Sequence, residues 1–160
     1  MVREMGMDVG ERQREAGVEG PSLGGLETQV GFLLRLAQVA VFKDLIAEFK
    51  PFDLRPTDFS VLLVIEATPG LKQQEVGEAL RIQRPNVVTI LDQLQGRGLV
   101  LRGAVPGDRR SYALTLTPEG KALLVKAKAA HARHDRKLSG ALKGLDKAAL
   151  IDALERIAAI

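Results

Sequence analysis

Six arginines fall between Arg81 and Arg110, and only two acids, Asp92 and Asp108, stand among them. A local excess of guanidinium groups suits a phosphate backbone, although a solvated basic face is the plain alternative for such a stretch taken alone. Within it Gln83, Arg84, Pro85 and Asn86 are consecutive, and Thr89 follows three residues later. Arg pairs in a fork with guanine, Asn pairs with adenine, and Thr can touch a thymine methyl. These residue types read base edges in a major groove, provided a helix presents them on one face.

Other chemistries are poorly supplied. The chain has no Cys, which removes disulfides, thiolate zinc sites and thiol redox sensing together. His131 and His134 stand three apart beside Asp135, but no further ligand cluster accompanies them, so no metal site and no cofactor is expected. There is no phosphate-binding glycine loop, dinucleotide fingerprint or Gly-x-Ser-x-Gly, so no catalytic residues are assigned and the chain is not expected to be an enzyme. With one Tyr, five Phe and no Trp, a stacking platform for single-stranded nucleic acid is lacking. No apolar run approaches the ~20 residues of a membrane span, and no signal-peptide core is visible. A cytoplasmic protein without a membrane partner is expected.

The formal charge of +3 is unevenly spread, because residues 1–20 carry three basic and five acidic side chains. Residues 1–21 read as a flexible arm, rich in Gly and charge. All three Met lie there, at positions 1, 5 and 7, so the start codon is open among them. From Leu26 onward Val30, Leu33, Ala37, Val41 and Leu45 recur at helical steps, and this long amphipathic helix ends before Pro51. Its apolar surface is wider than a short neighbour would cover, which points to a partner subunit.

A second helix follows Arg55-Pro56, with Thr57 as N-cap, and stops at Pro69-Gly70. A third, short one spans about Gln73 to Leu80, with Val76, Ala79 and Leu80 inward. The fourth opens at Pro85, carries Val87, Leu91 and Leu94 on its buried face, and closes at Gly98. Strands at 99–104 and 111–116 flank the turn cluster Val105-Pro106-Gly107-Asp108, and in the second Tyr112, Leu114 and Leu116 share one face. Thr117-Pro118 then starts a helix running to about Leu138. Its six Lys/Arg between Lys121 and Lys137 read as a solvated face. Asp146 caps a last helix with Leu150, Leu154 and Ile157 in one stripe.

Helix, helix, short helix, helix, hairpin, long helix is the order of a mainly α winged helix-turn-helix with a small β-hairpin wing. Four segments follow: the arm at 1–21, a dimerisation helix at 22–54, a DNA-binding lobe at 55–120, and C-terminal dimerisation helices at 121–160. The helix from Pro85 to Arg97 would enter the major groove, and the Val105–Ser111 loop would be the wing.

The residues now reached resemble the multiple-antibiotic-resistance regulator (MarR) family. Its wing signature stands here as Asp108-Arg109-Arg110, with Leu116-Thr117 and Gly120 behind it. Ahead lies Leu94-Gln95-Gly96-Arg97-Gly98-Leu99-Val100, which matches the family's exit from the recognition helix into the first wing strand. The resemblance covers roughly residues 26–160 and is strongest from Thr57 to Gly120. The sequence departs from the family at Pro85-Asn86, where hydroxyl residues are common, and at Thr89, where Arg is common. Gly77 replaces a usual helix former, at a cost of about 0.5–1 kcal/mol relative to Ala.

The resemblance implies a homodimeric repressor of a pseudo-palindromic duplex operator, released by a small molecule such as a phenolic or aromatic compound or its thioester. Gln83, Arg84, Pro85, Asn86, Thr89, Arg97, Asp108, Arg109 and Arg110 are the implied DNA contacts. Arg110 would enter the minor groove, with Asp108 orienting it. The effector pocket would draw on Phe32, Phe42, Phe49 and Phe59, although core packing is the commoner role for each. The competing reading is a winged-helix protein-interaction module without DNA binding.

Overall fold

The computed structural model describes residues 22–105 and 108–160, with backbone only for 105 and 108–111. The arm expected at 1–21 and the turn residues Pro106 and Gly107 lie outside the described residues. The chain divides into two compact units, Met1–Arg35 and Leu36–Ile160. In the first, a 3-10 turn at Leu26–Thr28 leads into helix α1, Val30–Phe49. There Phe32 is half-buried, and the Arg35 guanidinium lies 5.3 Å from its ring centroid.

The second unit continues α1 and adds α2 (Pro56–Ala67), α3 (Gln73–Leu80), α4 (Arg84–Gly96), β1 (Val100–Val105), β2 (Asp108–Leu116), α5 (Pro118–Ala141) and α6 (Lys147–Ala158). The architecture is mainly helical with one antiparallel hairpin, as the element order implies. No helix among the described residues is long and apolar enough to cross a membrane.

Helix α1 is apolar on two sides rather than amphipathic. Phe49 is fully buried and Leu45 packs against the core, yet Val30, Leu33, Leu36, Val39, Phe42 and Ile46 are exposed. The helix stops where Pro51 forces a short 3-10 turn, Lys50–Phe52. Helix α2 begins at Pro56, two residues before a start capped by Thr57, so Arg55 and not Thr57 is its N-cap. Asp58, at the third position, accepts a hydrogen bond from the Arg55 amide (2.9 Å) and closes the helix start from inside.

Helix α3 buries Val76 and Gly77, while Ala79, expected inward, is exposed. A Cβ on Gly77 would sit 3.2 Å from both the Ile82 carbonyl oxygen and Val87 Cγ2. The propensity penalty of this glycine is therefore offset by the close approach of α4. Arg84 is the first residue of α4, so Pro85 takes the second position, where an N–H would equally lack a helical acceptor.

The hairpin reaches further than expected: Val105 pairs with Asp108, and β2 starts three residues early. Leu114 and Leu116 are buried, but Tyr112 is half-exposed near the outer end. The base of β2 is tied to the segment before α3 through Gly70 N–H to Leu114 O (2.8 Å) and Leu114 N–H to Leu71 O (2.9 Å). At the junction with α5, Thr117 Oγ donates to Gly98 O (2.7 Å) and accepts from the Gly120 amide (2.8 Å). A Cβ on Gly120 would lie 2.1 Å from Leu99 O, so only glycine fits there. That contact is the physical content of the Leu-Thr…Gly signature.

Candidate nucleic-acid interface and ligand cavity

Val87, Leu91 and Leu94 have relative exposures of 1%, 0% and 1% and fix one face of α4 in the core. The opposite side of its first turns presents Gln83, Arg84, Pro85, Asn86 and Thr89, all exposed. The Thr89 hydroxyl donates back to Pro85 O (3.1 Å). Among the described residues, the Arg84 and Asn86 side chains make no hydrogen bond. The geometry thus keeps together the base-reading set that the sequence suggested. Gln73 and Gln74, which the sequence reading passed over, line a groove of about 460 Å³ with Gln83 and Arg84. Their signal was a polar pair opening the helix before the turn.

The arginines divide into two kinds. Arg97 donates to Asp53 O (2.5 Å) and Phe52 O (3.0 Å), bracing the end of α4 to the turn after α1. Arg102, on β1, donates to Asp92 Oδ1 (2.6 Å) and Gln95 Oε1 (3.0 Å) on α4. Arg81 donates to Ala158 O at the end of α6 (2.7 Å). Arg84 is uncommitted among the described residues, and the side chains of Asp108, Arg109 and Arg110 lie outside them.

The basic face of α5 is not merely solvated. Lys128 pairs with Glu66 of α2. Lys137 Nζ contacts Asp44 Oδ1 (2.7 Å) and Glu48 Oε1 (2.9 Å), and Arg133 Nε contacts Glu48 Oε2 (2.9 Å). His134, buried, holds Asp44 Oδ2 through Nδ1 at 2.7 Å. The hydrogen bond from Lys137, then that from His134, keeps the Asp44 carboxyl below its ordinary range. Lys137 first, then Arg133, does the same for Glu48, and Asp44 holds Lys137 above the usual lysine value. Of the histidine pair noted in the sequence, His134 thus serves the junction of α1 and α5.

Its neighbour His131 lines a cavity of about 440 Å³ with Phe42, Leu45, Phe59, Leu63, Leu80 and Ile82, among others. Leu80 ends α3 and Ile82 belongs to the turn before α4, so the cavity wall includes the connection to α4. Of the four phenylalanines proposed for a pocket, Phe42 and Phe59 line this one. Phe49 is instead core, its ring centroid 4.8 Å from that of Phe59, and Phe32 belongs to the first unit.

Comparison with known proteins is consistent throughout. The family model described as "MarR family" matches residues 52–111. A protein assigned as transcriptional regulator of the hcr operon in Thauera aromatica is 32% identical over 84% of this chain and 81% of its own. The structure of the transcriptional repressor CouR bound to a 23-mer DNA duplex superposes with a TM-score of 0.82, at 42% identity, covering 88% of this chain and 99% of that one. CouR bound to p-coumaroyl-CoA gives a TM-score of 0.78 at 40% identity, covering 86% and 96%. Transcription regulators, not enzymes, share this sequence and this fold: the chain belongs to the MarR family of winged helix-turn-helix transcription regulators.

Proposed function

We propose that the chain is a homodimeric repressor whose α4 reads a pseudo-palindromic duplex and whose cavity takes a phenolic ligand, as a thioester, that releases the DNA. The observation that carries this reading is the cavity wall. Leu80 and Ile82 face the ligand space and lead directly into α4, so a ligand that displaces them re-aims Arg84 and Asn86. Two CouR structures, one with DNA and one with p-coumaroyl-CoA, support the same pairing of partners in a similar fold.

Residues 55–120 act as the DNA-binding lobe under this reading, with 22–54 and 121–160 forming the subunit contact. Exposed Leu36, Val39 and Ile46 on α1 and Ile151, Leu154 and Ile157 on α6 supply the apolar surface for it. Two-fold symmetry then places the half-sites about one helical turn apart. Asn86 contacts a base edge and Arg84 a backbone phosphate beside it, and Arg110 reaches the adjacent minor groove with Asp108 orienting it.

Selection from a random duplex pool, followed by anisotropy titration with and without p-coumaroyl-CoA, tests the proposal. The expected result is a palindromic motif bound by a dimer and weakened about 5- to 150-fold by the thioester. Absence of any selected motif, or binding indifferent to the thioester, refutes it.

A further inference from the structure

The cavity beside the helix-turn-helix has an uneven chemistry. Its walls are Phe42, Leu45, Pro56, Phe59, Leu63, Leu80 and Ile82, and its polar groups come from Thr57, Ser60 and His131. No Lys, Arg, Asp or Glu lines it among the described residues. A carboxylate buried here would have no cationic partner, which costs far more than a hydrogen bond returns. The group that enters is therefore uncharged, and the apolar walls suit an aromatic ring.

The three polar residues are not equivalent. Ser60 commits its proton to Pro56 O (3.1 Å), so its oxygen can only accept. Thr57 stands exposed in the first turn of α2. His131 is half-buried and lies nearly parallel to Phe59, with centroids 5.1 Å apart and planes at 21°. Beside it His134, 6.1 Å away centroid to centroid, is anchored on Asp44. Among the described residues the ring nitrogens of His131 have no hydrogen-bond partner. Stacking thus fixes this imidazole while leaving its donor and acceptor unspent. A ligand hydroxyl matches either neutral tautomer, since it can donate to the bare nitrogen or accept from the N–H.

We propose that His131 is the specificity-determining residue of the cavity and hydrogen-bonds the ring hydroxyl of an uncharged phenolic group. The inference rests on the reading of the cavity as the effector site. A ligand without the hydroxyl fills the same space but leaves the imidazole desolvated and unpaired, and such a site discriminates by that loss.

The test compares p-coumaroyl-CoA with the same thioester lacking the ring hydroxyl, by calorimetry on the full chain. The parent protein is expected to prefer the hydroxylated thioester by about tenfold. His131→Phe keeps the stack on Phe59 and should bring the ratio near one, whereas His131→Gln should retain a preference. Operator binding by each variant reports that the fold survives. A second readout needs no variant in the binding assay: the chain has two histidines, so labelled imidazole nitrogens are readily followed by NMR. The His131 signals should shift with the hydroxylated thioester and stay put with the other. An unchanged tenfold ratio in His131→Phe, equal binding of both thioesters by the parent, or silent His131 signals would overturn the proposal. If the parent binds neither thioester, the cavity reading itself falls and takes this inference with it.

Discussion

Replacing Gly120 by Ala probes the junction on which the wing stands. The new Cβ would lie 2.1 Å from Leu99 O and 3.0 Å from the Leu99 carbonyl carbon, where a carbon–oxygen contact requires about 3.3 Å. Both obstructing atoms are backbone, so no side chain can swing away. The start of β1 and the start of α5 would have to separate by roughly an ångström. Two hydrogen bonds cross that seam: Thr117 N–H to Leu99 O (3.1 Å) and Thr117 Oγ to Gly98 O (2.7 Å). At about 1 kcal/mol each, with overpacking of about 1–3 kcal/mol, the expected loss is about 3–5 kcal/mol. That is a large part of the 5–15 kcal/mol typical of a domain, as an order of magnitude of roughly 10. Gly140→Ala is the control, since it lies within α5 with nothing within 4 Å of its Cβ. It should gain about 0.5–1 kcal/mol. Urea unfolding at equal protomer concentration measures both. A Gly120→Ala loss below about 1 kcal/mol would refute the steric argument.

The division of the arginines predicts that operator binding by the parent has a log–log salt slope near −5, for about six phosphate contacts per dimer. Arg84→Ala should make it shallower by about 2, whereas Arg97→Ala should leave the slope alone and cost about 1–2 kcal/mol of stability; the opposite pattern would reverse the assignment. Asp44 and Glu48 are held below their ordinary values of 3.8 and 4.5, so their contribution is complete above that range and lost as the pH falls through and below it. Urea midpoints between pH 6 and 3 should therefore decline less in the Asp44→Asn, Glu48→Gln double variant, and equal declines would count against the network. Asn86→Ala should relax one or two half-site positions by about 1–3 kcal/mol, while Arg110→Ala should weaken binding broadly and flatten any A·T preference in the flanks; site selection on both variants distinguishes them.

Much of this architecture was legible because it rests on local rules. Pro51, Pro69-Gly70, Gly98 and Thr117-Pro118 punctuate the chain, and the spacing of Val87, Leu91 and Leu94 identifies the buried side of α4 without reference to any other element. What escaped the sequence depends on neighbours distant along the chain. Thr57 has the chemistry of a cap, yet Asp58 at the third position made Arg55 the boundary. Gly77 looks like a defect in a short helix until α4 is packed against it. Helix α1 was expected to carry one apolar stripe, but periodicity alone does not separate Leu45, which packs against the core, from Leu33 of the same stripe, which is exposed. The residues proposed to read bases were picked by type; His131 was weighed only as a metal ligand, because its stacking on Phe59 is set by the approach of α5 to α2.

The arginines carry the argument one step further. By composition all six between Arg81 and Arg110 are equal candidates for phosphate, yet Arg81, Arg97 and Arg102 each satisfy backbone or side-chain oxygens within the chain. Their bonds run from the helix-turn-helix to α6, to the turn after α1, and between the wing and α4. A guanidinium spent in this way adds little to affinity for DNA, because donors it would turn to a phosphate are already engaged within the chain. It does restrict α4, the hairpin and the end of α6 to moving together. Under the proposed mechanism that restriction is what makes a small cavity effective. A ligand pressing on Leu80 and Ile82 acts on a unit braced at both ends of α4, so a displacement at the turn reaches Asn86 as a change of aim and is not absorbed by bending within the lobe. Weakening one brace should then separate two properties that the intact protein links: Arg81→Ala should retain operator affinity within a few-fold, as roughly expected for an arginine that makes no phosphate contact, while its release by p-coumaroyl-CoA is blunted. Parallel titrations of the parent and the variant decide it, and an Arg81→Ala protein released as fully as the parent would show that the brace plays no part in the response.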